Sequence, residues 1–349
     1  MIPLLVIKPM TCSSEMEHMI GQALENTNHE ISTEWSSEIV YNNRRVLFCL
    51  DLDETGHCIE LIKYLRDLKV NSGDNALNGS ICALFVRSNE DVYTKRASQE
   101  LIGFVNQLGC RVIGHSVVEV VKGLKNFRTW QKTIDKSLEE IRDDLCKKQV
   151  KRLVDFKTDR VHNNKILVLH SSSHETSNTL MLWEKVQQHL NYDDIRVFHV
   201  ENGSIVDCKG CDFKTCIHFS KQKSCFYGGV VMREILPAIE ESDIIVWICP
   251  NYNDALSANL TALINRLTAL YRRVNFYNKR IYSVVVSGNS GSDSVTNQLL
   301  GALNINKGFQ LPPKFALTEI ANDPGHILNV NDIDEKAKVF ADYMNDEKA

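Results

Sequence analysis

The sequence predicts an α/β protein built from two doubly wound parallel sheets in tandem. Three observations lead there. Short, wholly apolar runs such as "KILVLH" (residues 165–170) and "DIIVWICP" (243–250) have the character of parallel strands covered on both faces. Segments of helical period separate these runs, so strand and helix alternate. The two halves of the chain can also be laid over one another. Residues 81–86 with Asn89 match residues 281–286 with Asn289, and Gly109 falls near Gly308. With 349 residues the chain can bury two separate cores.

The second half gives the clearest succession. Strand 165–170 runs into the polar loop "SSSHETSNT", then a helix with Leu180, Trp183, Val186 and Leu190 on one face. "IRVFHV" (195–200) is a second strand and "DIIVWICP" a third. A helix over "SANLTALINRLTALYRR" follows, with Leu260, Leu263, Leu267 and Leu270 in one stripe. "RIYSVVVSGNSGSD" is a strand with a glycine- and serine-rich exit. "SVTNQLLGALN" is helical, "KFALTEI" a fifth strand and "DIDEKAKVFADYM" a terminal helix. The first half repeats the order: strand "PLLVIK", helix "EMEHMIGQALE", central strand "RRVLFCLDLD", helix "HCIELIKYLRDL", strand "SICALFVRSNED", helix "SQELIGFVNQLGC" and strand "RVIG". A helix over 130–153 and the polar "DFKTDRVHNN" join the copies. The expected domains are 1–158 and 159–349.

Composition narrows the function. The chain is 43% hydrophobic and 24% charged, as in ordinary globular domains, and carries a net charge of −4 with dispersed basic residues. That leaves no electrostatic footprint for nucleic acid or an anionic membrane. No apolar run reaches the length of a membrane span, and "MIPLLVIKPM" lacks the basic region and cleavage site of a signal peptide. The expected location is cytoplasmic.

In open parallel sheets ligands bind outside the carboxyl ends of the strands. The exit loops of the second half suit that role. "SSSHETSNT" places hydroxyls from Ser171 to Thr179 at a helix start, a neutral cradle for a phosphate. "PNYND" ends a strand at Pro250 and frees Tyr252 to lie against a planar ring. "SGNSGSD" brings Gly288 and Gly291, where backbone can approach a ligand closely. The first-half exits "KPMTCSS", "DLDETGH" and "RSNED" have none of this, and Asp51, Asp53 and Glu54 would repel a phosphate.

These loops resemble those of the flavodoxin-like NAD(P)H-dependent FMN reductases, a family related to the iron–sulfur flavoproteins. "KILVLHSSSHETSNTL" is similar to their phosphate loop, and "DIIVWICPNYNDALSANLTALINRL" to their flavin-ring loop and following helix. The resemblance covers roughly residues 165–342 and implies two tandem flavodoxin-like, three-layer α/β/α units, the first a degenerate copy. Carried over by position, Ser171, Ser172, His174, Ser177, Asn178 and Thr179 would hold the FMN phosphate. Pro250, Asn251, Tyr252 and Asn253 would border the ring, and Ser287, Gly288, Asn289 and Gly291 would close over its polar edge. The family's Gly-Ser-Pro-Arg opening is replaced by Ser171, Ser172, Ser173 and His174, which removes an arginine fork. Asn265 stands where the family often has Asp.

The implied function is an FMN-dependent oxidoreductase that takes hydride from transiently bound NAD(P)H and passes electrons to a small acceptor such as a quinone or flavin. No acid–base catalyst is assigned, because the flavin carries the chemistry. The alternative is a flavodoxin-like or iron–sulfur electron carrier without nicotinamide use. Family members commonly dimerise, so the expected partner is a second subunit or the first copy in its place. Cys208, Cys211, Cys216 and Cys225 lie in the lysine-rich segment after the second strand. An iron–sulfur cluster, a zinc ion and metal-free thiols all remain open for them, and no metal ligand is assigned. The seven other cysteines read as small buried hydrophobes.

Overall fold

The structure is a computed structural model that describes residues 2–158, 165–172, 176–201 and 203–347. The chain forms two compact units, Met1–Lys157 and Thr158–Ala349. In the first, β1 (Leu4–Ile7), α1 (Ser14–Leu24), β2 (His29–Ser32), β3 (Arg45–Asp51), α2 (Ile59–Ser72), β4 (Ile81–Arg87), α3 (Thr94–Gln107), β5 (Arg111–Val120) and α4 (Leu138–Val154) follow in order. Its sheet is parallel, with strand order β2-β1-β3-β4-β5.

The second unit contains β6 (Lys165–His170), α5 (Asn178–Gln187), β7 (Asp194–His199), α6 (Phe213–Lys221), α7 (Leu236–Glu241) and β8 (Ile244–Pro250). It continues with α8 (Ala258–Arg266), α9 (Thr268–Tyr271), β9 (Arg280–Ser287), α10 (Ser292–Leu299), β10 (Ala316–Ile320) and α11 (Ile333–Asn345). The order β10-β9-β8-β6-β7 is again fully parallel. Numbered within its own unit, each sheet reads 2-1-3-4-5, the flavodoxin-like arrangement. The predicted fold class therefore holds in both halves.

Burial explains the apolar runs. β8 is buried from Ile244 to Cys249, and β9 is buried along its whole length. Alternate residues of each strand serve opposite faces. In the second unit Ile166, Val168, Val246, Tyr282 and Val284 meet Leu182, Trp183, Phe340 and Met344 from α5 and α11. In the first, Val6, Leu47, Ala83 and Phe85 meet Met16 and Met19 of α1 and Ile141, Cys146 and Val150 of α4. Six of the seven cysteines outside the quartet are buried, and Cys12 is half-buried.

A shared device ends the fourth α/β connection in each unit. Gly109 (φ 90°) follows α3, and Gly308 (φ 87°) follows a π-helical turn over Leu300–Lys307 that extends α10. Beside each lies a buried asparagine. Asn106 Nδ2 donates to the Cys110 carbonyl at 3.0 Å, and Asn304 Nδ2 to the Phe309 carbonyl at 2.6 Å. Each satisfies a backbone group that would otherwise be stranded where helix turns into strand.

Several elements differ from expectation. The helix expected over 130–153 begins only at Leu138, because Ser137 and Glu140 form a reciprocal capping box there. It does not serve as a linker: α4 packs on α1 and supplies part of the first core. β5 runs on to Val120 through a break in register opposite Cys82 and Leu84. The long helix after β8 breaks between Arg266 and Thr268 into α8 and α9. Ser137→Ala should destabilise the first unit by about 1 kcal/mol, measured as a lower urea midpoint with an unchanged slope.

Candidate functional site

In each sheet the strand order reverses between the first and third strands of the unit, so the crevice for a ligand opens between β1 and β3 and between β6 and β8. The two crevices are furnished differently.

At the second, β6 ends in His170, whose ring stacks on His199 of β7 with centroids 4.8 Å apart. Burial pushes the His170 imidazole down to about 4, and His199 pushes it the same way, so it is neutral at pH 7. The chain then turns into α5. Ser177 caps that helix by accepting from the Leu180 amide at 3.5 Å, and its hydroxyl donates to Ser172 Oγ at 3.0 Å. Ser171 Oγ shares a 2.7 Å hydrogen bond with Ser257 Oγ, the residue that precedes α8. Ser172 and Thr179 are buried.

Asn178 is placed differently from the other residues predicted here. Its Nδ2 donates to the carbonyls of Ala321 (3.0 Å) and Asp323 (2.9 Å), and its Oδ1 accepts from Ile327 N at 3.2 Å. That side chain ties the start of α5 to the exit of β10. His174, also predicted here, lies outside the described residues.

β8 leads through Pro250 into a two-residue turn. Tyr252 and Ala255 exchange backbone hydrogen bonds of 3.4 and 3.2 Å around Asn253 (φ 53°) and Asp254 (φ 57°). Positive φ at both tip residues is the twist of a type I′ turn, which Asn and Asp tolerate. The turn leaves Tyr252 54% exposed. At its base, Asn251 Nδ2 donates to Ser287 Oγ (2.9 Å), Asp254 Oδ1 (3.2 Å) and the Ser290 carbonyl (3.3 Å). Ser287 Oγ in turn pairs with Ser292 Oγ at 2.7 Å. The β8 and β9 exit loops are thus braced as one piece.

Two details fit a bound flavin. Asn251 Oδ1 is buried without a hydrogen-bond partner, and a buried acceptor of that kind calls for a donor from outside the chain. Gly291 has φ 93°, and a Cβ there would overlap Asp254 Oδ1, so the loop needs glycine for two independent reasons. A Cβ on Gly288 would stand 3.0 Å from Asn322 Oδ1, a tighter fit than usual. Asn289 is exposed and its Oδ1 accepts from the Ser290 amide. The sequence reading missed Ser257, Ser292 and Asn322. Ser257 sits at a predicted helix start and Ser292 inside the exit loop "SGNSGSD", which were the only signals they gave.

The crevice of the first unit carries carboxylates of its own. Asp51 Oδ2 accepts from the Ser13 amide at the start of α1, at 2.5 Å, and Glu60 Oε2 accepts from the Met10 amide at 2.5 Å. Arg87 reaches Asp51 at 3.3 Å and Glu15 at 3.3 Å. The amides that would greet a phosphate here hold side chains instead.

Residues 164–322, most of the second unit, match the family model of the NADPH-dependent FMN reductases. Most of the second unit thus matches that family. It is accordingly a flavin-dependent oxidoreductase unit with the flavodoxin-like fold. Among solved structures, the chain is similar to the Trp repressor binding protein from Bacillus subtilis, at 17% identity and TM-score 0.35, over 50% of this chain and 96% of that one. An apo NADH:FMN oxidoreductase aligns at 15% identity and TM-score 0.36, over 52% and 88%. A putative quinone reductase from Klebsiella pneumoniae aligns at 13% and TM-score 0.37, over 52% and 83%. No curated protein matches the chain.

Proposed function

We propose that the second unit binds FMN in the crevice between β6 and β8, accepts hydride from NAD(P)H and reduces a small acceptor of the quinone or flavin class. The observation that carries this reading is the braced pair of loops around Asn251, Ser287 and Gly291, with one buried acceptor left open. Ser171, Ser172, Ser177 and Thr179, with the first amides of α5, would hold the phosphate through neutral donors. Asn178 would support that loop from behind. Tyr252 offers an exposed ring face for packing. Asn251 and the backbone of 287–291 would fix the polar edge of the ring. Bound FMN supplies the hydride acceptance and electron transfer, while these residues bind and orient it.

No side chain in the crevice is assigned as an acid or base. Neutral His170 adds no fixed positive charge beside the phosphate loop at pH 7, consistent with binding through hydroxyls and amides.

Anaerobic absorption spectra test the reading. The purified protein should retain or take up FMN, with one flavin per chain, and NADPH or NADH should bleach it within the time of mixing. Flavin that stays oxidised with either nucleotide would turn the reading into a carrier without nicotinamide use. A protein that refuses FMN would overturn both.

A further inference from the structure

The segment between β7 and α7 has almost no core of its own. Among its described residues from 201 to 229, only Ser220 is buried. Hydrogen bonds tie it to α8 and α9 instead. Arg266 donates to the carbonyls of Val206 (2.8 Å) and Gly228 (2.9 Å), and Ser220 Oγ donates to the Ala269 carbonyl at 2.7 Å. Between the segment and these helices lies a cavity of about 170 Å³.

Part of its lining is aromatic. Phe219, Phe226 and Tyr227 all border it, and their rings meet edge to face in succession, with centroids 5.8 and 5.2 Å apart. Ala269 and the free, half-buried thiols of Cys216 and Cys225 extend the apolar surface. A dry cavity of about 150 Å³ takes up one benzene ring, so this one has room for a single six-membered ring.

The rest of the lining is cationic. Arg266 is 2% exposed, and its Nε is buried without a hydrogen-bond partner. Arg272 lies with its guanidinium over the Phe213 ring, 4.7 Å from the centroid. Through Asn265 and Thr268 the cavity adjoins a second one of about 310 Å³, lined by Asn306 and Lys307. Lys307 is buried, and its Nζ donates to Thr268 Oγ1 at 3.2 Å. Among the described residues none of these three cations has a carboxylate partner, and the carboxylate of Asp207 accepts from Asn265 Nδ2 at 3.0 Å. Buried cations without a counter-ion are costly, so the combined space calls for an anion.

We propose that this space binds a small aromatic carboxylate, its ring against Phe219, Phe226 and Tyr227 and its carboxylate toward Arg272 and Lys307. The aromatic lining suits a planar ring packed edge to face, and a carboxylate matches the planar guanidinium fork. Arg266 keeps its two backbone carbonyls and contributes its charge. The bound ring would give the segment 201–229 the interior it lacks. None of the residues proposed to hold flavin lines this space, so the inference stands apart from that reading.

The test titrates benzoate into the full chain by calorimetry, with benzamide as its uncharged counterpart. Benzoate should bind once per chain, and benzamide about tenfold more weakly or worse. Arg272→Gln should weaken benzoate by about tenfold while leaving FMN content unchanged. Alkylation locates the ligand, because Cys216 and Cys225 line the cavity. With benzoate at tenfold its Kd, labelling of these two thiols by iodoacetamide, read by mass spectrometry, should slow by about tenfold. Saturating FMN should leave benzoate bound. Four results on the unaltered chain would each overturn the proposal: no binding at millimolar benzoate, equal affinity for benzamide, displacement by FMN, or thiol labelling indifferent to bound benzoate.

Discussion

Gly291→Val is expected to weaken FMN binding by about a hundredfold, or roughly 2.8 kcal/mol. The glycine has φ 93°, where a β-branched residue is strained, and its missing Cβ makes room for Asp254 Oδ1. Valine must therefore push back the tip of the β8 exit turn, and with it Asn251, which bonds both Asp254 and Ser287. α10 starts after this position and the core lies below it, so the unit should still fold. Equilibrium dialysis measures the affinity, and circular dichroism confirms the fold. Unchanged affinity in a folded variant would remove the β9 exit loop from the cofactor site.

Glu347→Ala should cost the second unit about 3–5 kcal/mol. Glu347 Oε2 lies 2.5 Å from Arg280 Nε, and both side chains are almost fully buried, at 2% and 3% exposure. Arg280 opens β9, so its charge sits at the edge of the sheet core. Removing the carboxylate takes from a buried cation its closest ion-pair partner, whereas replacing both partners by Leu and Met should cost far less. Urea unfolding, read by amide exchange on β9, separates this unit from the first. A loss below about 1 kcal/mol would mean that water reaches Arg280 in place of the carboxylate.

The central strands were legible because their burial on both faces leaves no polar residue to blur them, as in Ile244 to Cys249. β2 was not, since its "HEIS" is a four-residue edge strand, half exposed, with neither alternation nor an apolar run. The role of α4 was hidden for another reason. Its apolar face was visible, but only the fold tells whether such a face meets a first core or bridges to a second. In the proposed site, hydroxyls and glycines at strand exits pointed to loops that the fold gathers together. What sequence order could not reveal was the direction of Asn178, set by carbonyls at 321 and 323 that the fold brings alongside. The acidic exits of the first unit were read as repelling a phosphate. The structure adds that Asp51 and Glu60 bind the very amides concerned.

That last arrangement changes what the first unit depends on. An anion tethered by the chain itself is present at a fixed local concentration that no dilution, competitor or shortage can alter. Where a freely exchanging ligand would make stability rise and fall with supply, Asp51 and Glu60 make it constant. The first unit therefore satisfies these amides from within its own chain, without an exchanging ligand.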